Sequence, residues 1–349
     1  MKKHLVWLFL ILLGCSNSHR DNPADPGSPG YEPRITDFRV EDGDRIVVLS
    51  EVAAVIGQLA FESPISKVLL VNLDGDNANG NELVVGLKEN KTIANKGGQV
   101  LVYQYSVTEK KVVPTMTSYA PSQIPFIGAA SNAFRVQNMV LLGPSYQDKE
   151  MYLLVERTDP LWFPAVLDFV NLQGETVTRY WHHGQIGALG VADLDGKGSE
   201  EIIVQGFNNA TGSDVVFCLS SENIEPEKEY VSYPFPDMKI SASYPNASKI
   251  AQAKERWYAF GFHMPREPIV SDYLPELPGL EVSLNTERNY FWILDAEGEI
   301  KSLFLGDVIT DTSYVFSRII GGGNQIYRRQ EVIDRVQQLI HTFTDTIPR

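Results

Sequence analysis

An acidic loop between two apolar runs occurs twice in this chain, and its repetition constrains the fold more than any other feature. The clearer copy is the loop 193–201, between the apolar runs 189–192 and 202–205. The earlier copy is the loop 72–82, between the runs 68–71 and 83–85. A fainter copy extends from Asp272 to Glu281. Self-similarity of this kind indicates a repeat architecture, in which each copy belongs to one structural unit of a larger core.

Short apolar segments rich in β-branched residues surround each copy, and Gly, Pro, Asn and Asp clusters separate them. This pattern is typical of strands and turns. Units of three or four strands predict an all-β protein built as a β-propeller; five blades fit best, and six or seven remain open. The predicted strands are Val68–Val71, Leu83–Val85 and Val100–Tyr105, then Met139–Leu142, Met151–Val155 and Val166–Val170, then Leu189–Ala192, Ile202–Gln205 and Val215–Leu219, and finally Ile269–Asp272, Glu281–Ser283 and Tyr290–Leu294.

The two ends of the repeat region are predicted to share one blade, because joining them removes exposed sheet edges. The strands concerned are Ile46–Leu49 and Gly57–Phe61 at one end, and Leu303–Leu305 and Tyr314–Ile319 at the other. Beyond residue 326, apolar residues from Val332 to Phe343 recur at helical spacing. They predict a short amphipathic helix at 327–349 that packs on the propeller, which itself spans 35–326.

The N-terminus has the features of a secretory signal. Lys2 and Lys3 precede a nine-residue apolar run, Leu5–Leu13, which is far shorter than the roughly 20 residues of a membrane-spanning helix. The ending Leu-Leu-Gly-Cys15 resembles the lipobox of bacterial lipoproteins. That resemblance implies a signal peptide at 1–14 and a lipid on Cys15. With Ser16 following, it also implies a cell-envelope protein anchored in the outer membrane, facing the periplasm or the exterior. Residues 15–34 are rich in Pro, Gly and polar residues and predict a flexible linker.

The acidic loops carry oxygen ligands at the spacing that calcium requires. Ca²⁺ takes six to eight hard oxygen ligands, and a later acidic residue can complete the set. Lys197 stands among the ligand positions of the second loop; its ammonium group cannot bind a metal and can instead pair with Asp193 or Asp195. The candidate ligands are Asn72, Asp74, Asp76 and Glu82 in the first loop, and Asp193, Asp195 and Glu201 in the second.

The loop Asp193-Leu194-Asp195-Gly196-Lys197-Gly198, with Glu201 opening an Ile-Ile-Val strand, resembles the FG-GAP/VCBS repeats of integrin-α-type β-propellers. The resemblance implies blades around a central axis and structural Ca²⁺ in the acidic loops. Two extra residues separate Asp76 from Glu82 relative to the family pattern.

Charge and motif content favour a binding function. The net charge of −14 repels phosphate backbones and disfavours nucleic acid as a partner. If Cys15 carries lipid, Cys218 has no disulfide partner and is predicted to be a buried structural thiol. The sequence has no recognisable nucleophile, paired-carboxylate or metal-hydrolase motif. We therefore predict a non-catalytic binding or scaffold module for protein or glycan; the alternative is a glycan-active lyase or hydrolase built on the same fold.

Overall fold

The computed structural model describes residues 31–348 with short gaps, and the described part is all-β, as predicted. It contains 24 strands and two 3₁₀ helices, Ser221–Asn223 and Ala247–Lys249. The signal peptide, Cys15 and the linker up to residue 30 lie outside it. The gaps are 76–79, 90–96, 127, 129, 132, 144–150, 162–163, 224, 233–239, 254, 261–268, 273–276, 286–289, 311–312, 321–324 and 330–342.

Each predicted apolar run lies in a strand over all or most of its length, and the structure adds eight strands that these runs did not predict. They are β1 Ile35–Glu41, β2 Arg45–Ser50, β3 Val55–Ala60, β4 Ile65–Val71, β5 Glu82–Leu87, β6 Val100–Ser106, β7 Lys111–Ser118, β8 Arg135–Leu142, β9 Tyr152–Thr158, β10 Ala165–Val170, β11 Thr176–His182, β12 Gly184–Ala192, β13 Glu201–Asn208, β14 Ser213–Ser220, β15 Glu229–Val231, β16 Ile250–Gln252, β17 Trp257–Phe260, β18 Ile269–Ser271, β19 Glu281–Asn285, β20 Tyr290–Leu294, β21 Ile300–Thr310, β22 Ser313–Ile320, β23 Gln325–Arg329 and β24 Phe343–Pro348.

The described strands form five sheets. Strands β1–β3 form the first, β4–β7 the second and β18–β24 the last, each in chain order. The third is the antiparallel set β8–β11, to which β15 and β16 add in parallel, and the fourth is β12–β13–β14–β17. Pairing of consecutive strands needs only short turns, which is why antiparallel order prevails.

The sheets pack face to face in chain order. Leu153 and Leu154 of β9 are both fully buried, yet they belong to different cores: Leu153 faces the second sheet, and Leu154 faces the fourth. Ile203 and Val204 of β13 divide in the same way between the last sheet and the third. Successive side chains of a strand point to opposite faces, so a middle strand covered on both sides must be apolar throughout. Stacked antiparallel sheets of this kind have the organisation of propeller blades.

The predicted sharing of one blade by the two ends is wrong for the described strands. The strands at 46–49 and 57–61 belong to the sheet β1–β3, whereas those at 303–305 and 314–319 belong to the sheet β18–β24. Local hairpins explain the difference. A tight turn with positive φ at Asp42 and Gly43 supplies β1 as a partner for β2, and β21 pairs directly with the preceding strand β20.

The predicted C-terminal helix is wrong at both of its ends. Gln325–Arg329 and Phe343–Pro348 are strands that pair with each other in antiparallel register. The segments carry β-branched Ile326, Thr344 and Thr346, which favour strands. Residues 330–342, which hold most of the apolar helical pattern, lie outside the described residues.

Candidate functional site

The Asp193 loop, residues 193–200, connects β12 to β13. Its ends meet where Ala192 pairs with Glu201 across the two strands. Leu194 is fully buried and fastens the loop to the core between the fourth and fifth sheets. Gly196 and Gly198 have φ of +68° and +90°, a left-handed region that glycine enters without steric cost. The loop therefore turns sharply while its carboxylates remain together.

Backbone amides organise these carboxylates. Asp193 accepts hydrogen bonds from the amides of Lys197 (3.1 Å) and Gly198 (2.8 Å). Glu201 turns back toward the loop and accepts a bond from the Leu194 amide (2.9 Å). Bonds of this kind, in which a backbone amide donates to an acidic side chain a few residues away, are typical of tight polar turns.

The structure brings Asp193, Asp195 and Glu201 together, as the sequence predicted for a ligand set. One carboxylate oxygen of each lies within 4.8 Å of those of the other two. Three acidic groups at this separation can bind a metal ion, since they offer hard oxygen ligands and repel one another without a positive charge between them.

Two side chains of the chain itself bring positive charge to this cluster. The Lys197 ammonium pairs with Asp195 at 2.9 Å, which is one of the two pairings expected from the sequence; its side chain is 73% exposed. The second is Arg256, which the sequence reasoning missed. Arg256 lies 61 residues beyond Asp195, directly before β17, and no local motif marks it.

Arg256 makes three ion pairs. Its guanidinium donates to Glu201 (2.7 Å) and Asp195 (2.7 Å) within its own sheet. It also donates to Glu297 (2.9 Å), which lies in the turn between β20 and β21 of the next sheet. The Arg256 side chain is only 18% exposed and those of Asp195 and Glu201 are mostly covered, so these two pairs are screened less by solvent than surface pairs.

The pKa values of the cluster follow from burial and these bonds. Burial opposes ionisation of Asp195, but hydrogen bonds from Lys197 and Arg256 outweigh it and lower its pKa. Burial raises the pKa of Glu201, and the Leu194 amide and Arg256 only partly oppose it. Burial disfavours the charged form of Arg256, yet bonds to Asp195 and Glu297 raise its pKa overall. The guanidinium is thus permanently charged.

The first acidic loop has the same frame. Glu82 opens β5 opposite Val71, as Glu201 does opposite Ala192. The buried Leu73 donates its amide to Glu82 at 2.7 Å, and Gly75 has φ of +73°. Glu82 therefore returns to the loop despite the two-residue insertion. Of the remaining predicted ligands, Asn72 and Asp74 are described, and Asp76 lies outside the described residues.

The third copy places its closing glutamate as the other two copies do. Glu281 is fully buried and opens β19 opposite Ser271, in the same register as the other two glutamates. Asp272 is exposed. The end of this copy packs against the second one, because the Leu280 amide donates to the Leu194 carbonyl at 2.7 Å.

A second charged cluster, also missed from the sequence, is buried in the third sheet. Arg157 of β9 pairs with Asp168 of β10, and both side chains are inaccessible to solvent. Arg179 of β11 donates to the other oxygen of Asp168 at 2.9 Å. Glu229 of β15 accepts bonds from the side chains of three neighbours. The groups neutralise and bond one another, which a buried ion pair requires.

Cys218 is fully buried in the core between the fourth and fifth sheets, as predicted for a structural thiol. Burial raises its pKa well above the ordinary range, so the thiolate needed for nucleophilic chemistry is suppressed. In the part of the chain that the structure describes, no helix is long and apolar enough to cross a membrane.

No protein-family profile matches the chain, and no curated protein matches it. Among solved structures, the chain is similar to the Dos1 propeller (TM-score 0.44, 9% identity, 84% of this chain and 66% of that one). It is also similar to BamB from Moraxella catarrhalis (0.39, 10% identity, 84% and 78%) and to a glucose dehydrogenase (0.37, 12% identity, 83% and 91%). These likenesses concern architecture and say nothing about function.

Proposed function

We propose that this chain is a membrane-anchored β-propeller of the cell envelope that binds a protein partner and catalyses no reaction. The observation that carries the proposal is a loop surface with exposed bulky apolar side chains, here termed the connection face. It consists of residues 119–134, 159–164, 183 and 207–212, as far as they are described. Its apolar members are Leu161 (69% exposed), Tyr119 (57%) and Phe207 (39%).

Contacts between its segments make the connection face continuous. Ser131 donates a hydrogen bond to Asp159, which joins the segment 119–134 to the loop that carries Leu161. The rings of Phe126 and His183 lie 6.2 Å apart, and the Asn209 amide donates to the His183 carbonyl at 2.8 Å. Contiguous apolar surfaces mark interaction sites, and the three exposed side chains lie on segments that these contacts connect.

Exposed apolar and aromatic side chains on such a surface favour a protein partner. Protein interfaces are enriched in aromatic and large apolar side chains at their core. A protein partner also fits the acidic chain better than a polyanion does.

The N-terminal linker leaves from the other end of the second sheet. The Arg34 amide donates to Glu51 at 3.0 Å, and the Arg34 side chain packs against Gly80 in the first acidic loop. Strand β5 runs from that loop to the loop 88–99, whose Gly98 carbonyl accepts a bond from Arg157 beside the connection face (2.7 Å). A lipid on Cys15 would thus hold the acidic-loop end toward an outer membrane and leave the connection face free.

The repeated loop frame supports two finer points of the proposal. The five sheets close into a ring like that of FG-GAP/VCBS propellers, and the first acidic loop binds structural Ca²⁺. Leu73, Gly75 and Glu82 repeat the positions of Leu194, Gly196 and Glu201, so the described part of the first loop has the same frame as the second.

Site-specific photocrosslinking in the producing cell tests the function. A crosslinking amino acid at position 161 is expected to trap one defined protein, and Tyr119→Asp with Phe207→Asp is expected to abolish the adduct. The same probe at Leu172, an exposed leucine in the turn between β10 and β11, is the matched control. A glycan that binds the pure protein and yields product on incubation would overturn the proposal in favour of an enzyme.

A further inference from the structure

Arg256 occupies the acidic cluster in the manner of a bound cation. Its guanidinium bridges Asp195 and Glu201 at 2.7 Å each, and these two carboxylates belong to the triad that could share a metal ion. A divalent ion bound by the triad would need two carboxylates, those of Asp195 and Glu201, that the guanidinium already engages. Planar guanidinium groups suit this task because they stay charged and present several fixed donors.

Arg256 contributes more than Lys197 to neutralising the negative charge of the three carboxylates. The Lys197 side chain is largely exposed, and solvent screening weakens an exposed pair. The Arg256 side chain is mostly covered and is held further by Glu297 of the next sheet. Its backbone position is fixed as well, since the Arg256 amide donates to the Cys218 carbonyl at 2.8 Å.

The first acidic loop has no such arginine at the corresponding place. Cys218 pairs with the residue two positions after Glu201, and Val102 pairs with the residue two positions after Glu82. The side chain that reaches the Val102 carbonyl is that of Thr115, at 3.3 Å. A threonine hydroxyl brings no positive charge, so the position that holds Arg256 in the second copy holds a neutral residue in the first.

We propose that Arg256 is the built-in cation of the Asp193 loop, and that this loop is a divalent-cation site in which the guanidinium has taken the place of the metal. Neutralising Arg256 therefore exposes a latent Ca²⁺ site formed by Asp193, Asp195 and Glu201. The inference is independent of calcium in the first loop.

Calcium titration of Arg256→Met tests this inference. Every protein compared, including the parent, is the full chain with Asp74→Ala, so that Ca²⁺ binding by the first loop does not contribute to the measurement. After chelation, Arg256→Met is expected to have a lowered Tm and to gain one Ca²⁺ site by calorimetry, with Tm rising by about 3 °C at saturating Ca²⁺. The parent with Arg256 intact is expected to show neither heat nor a shift.

Two matched variants distinguish loss of the Arg256 charge from a general loss of structure in the loop. Arg256→Lys keeps the positive charge and is expected to gain no Ca²⁺ site. Lys197→Met removes the other, exposed charge of the loop and is also expected to gain none. An Arg256→Met protein that binds no Ca²⁺ would overturn the proposal.

Terbium luminescence tests the proposal in the protein that retains Arg256. The test can therefore be made even if Arg256→Met fails to fold. Trp257 follows Arg256 directly and can sensitise Tb³⁺ bound in the loop. The proposal requires the parent to give no such emission. Emission from the parent that Asp195→Asn removes would show a metal bound beside Arg256 and would overturn it.

Discussion

At the scale of single residues, this protein buries several ionisable side chains and neutralises each by a different means. Arg157 and Asp168 are inaccessible and pair with each other. Glu156, next to Arg157 but on the opposite face of β9, is also inaccessible and accepts bonds from Thr158 (2.5 Å) and Asn138 (3.1 Å). Burial raises the pKa of Glu156 to about 8, and the two bonds only partly oppose it. This carboxyl is therefore protonated at neutral pH.

Glu156 makes stability depend on pH in a definite direction. The unfolded chain releases this proton near its ordinary pKa of 4.5, whereas the folded protein retains it up to about pH 8. Between these values the folded state binds more protons, so the contribution of Glu156 to stability falls as pH rises. We expect Glu156→Gln to remove this pH dependence. At pH 8 the free energy of unfolding of the variant should therefore exceed that of the parent by up to a few kcal/mol.

Urea denaturation of both proteins at pH 5, 6.5 and 8 measures this difference. His182, whose pKa burial lowers to about 3, acts in the opposite direction but equally in both proteins. Glu109→Gln, at an exposed glutamate, is the control and should follow the parent at every pH. A constant difference between Glu156→Gln and the parent from pH 5 to 8 would contradict the assignment.

At the scale of strands and loops, the sequence predicted what depends on neighbours in the chain and missed what depends on distant ones. The apolar runs marked most of the strands, and the loop pattern placed Asp193, Asp195 and Glu201 together, because a short turn confines all three. Arg256 enters the same cluster from 61 residues away, and Arg157 meets Asp168 only through strand pairing. Neither arginine has a local signature, so only the tertiary structure reveals them.

The first acidic loop is expected to bind calcium because it repeats the frame of the second loop and has Thr115 at the position where the second loop has Arg256. Ca²⁺ should raise the Tm of the parent and release heat on titration, and Asp74→Ala should abolish both by removing a carboxylate ligand. Asp37→Asn, which alters an exposed aspartate outside the acidic loops, should leave both unchanged. A parent protein that shows neither heat nor a Tm shift would refute structural calcium.

At the scale of the whole molecule, the sheets hold together through cores that each pair of neighbours shares. Leu59 and Val85 belong to the core between the first two sheets, and Ile203 and Val282 to that between the last two. The Arg256–Glu297 pair adds a polar link across the latter boundary. No described sheet stands alone, so the loops at the ends of the stack form surfaces of fixed shape. A binding module is better served by such a surface than by a flexible one.

We expect membrane anchoring of the protein to depend on Cys15, one of its two cysteines. If Cys15 carries the lipid, Cys15→Ser should move the protein from the membrane fraction to the soluble fraction and end incorporation of labelled palmitate. One acyl chain binds membranes weakly and several bind stably, so loss of a multiply acylated cysteine should release nearly all of the protein. Cys218→Ser is the matched control: its sulfur is buried in a core, so it should leave both membrane association and labelling intact. Membrane association that survives Cys15→Ser would show that something other than a lipid on this residue holds the protein there.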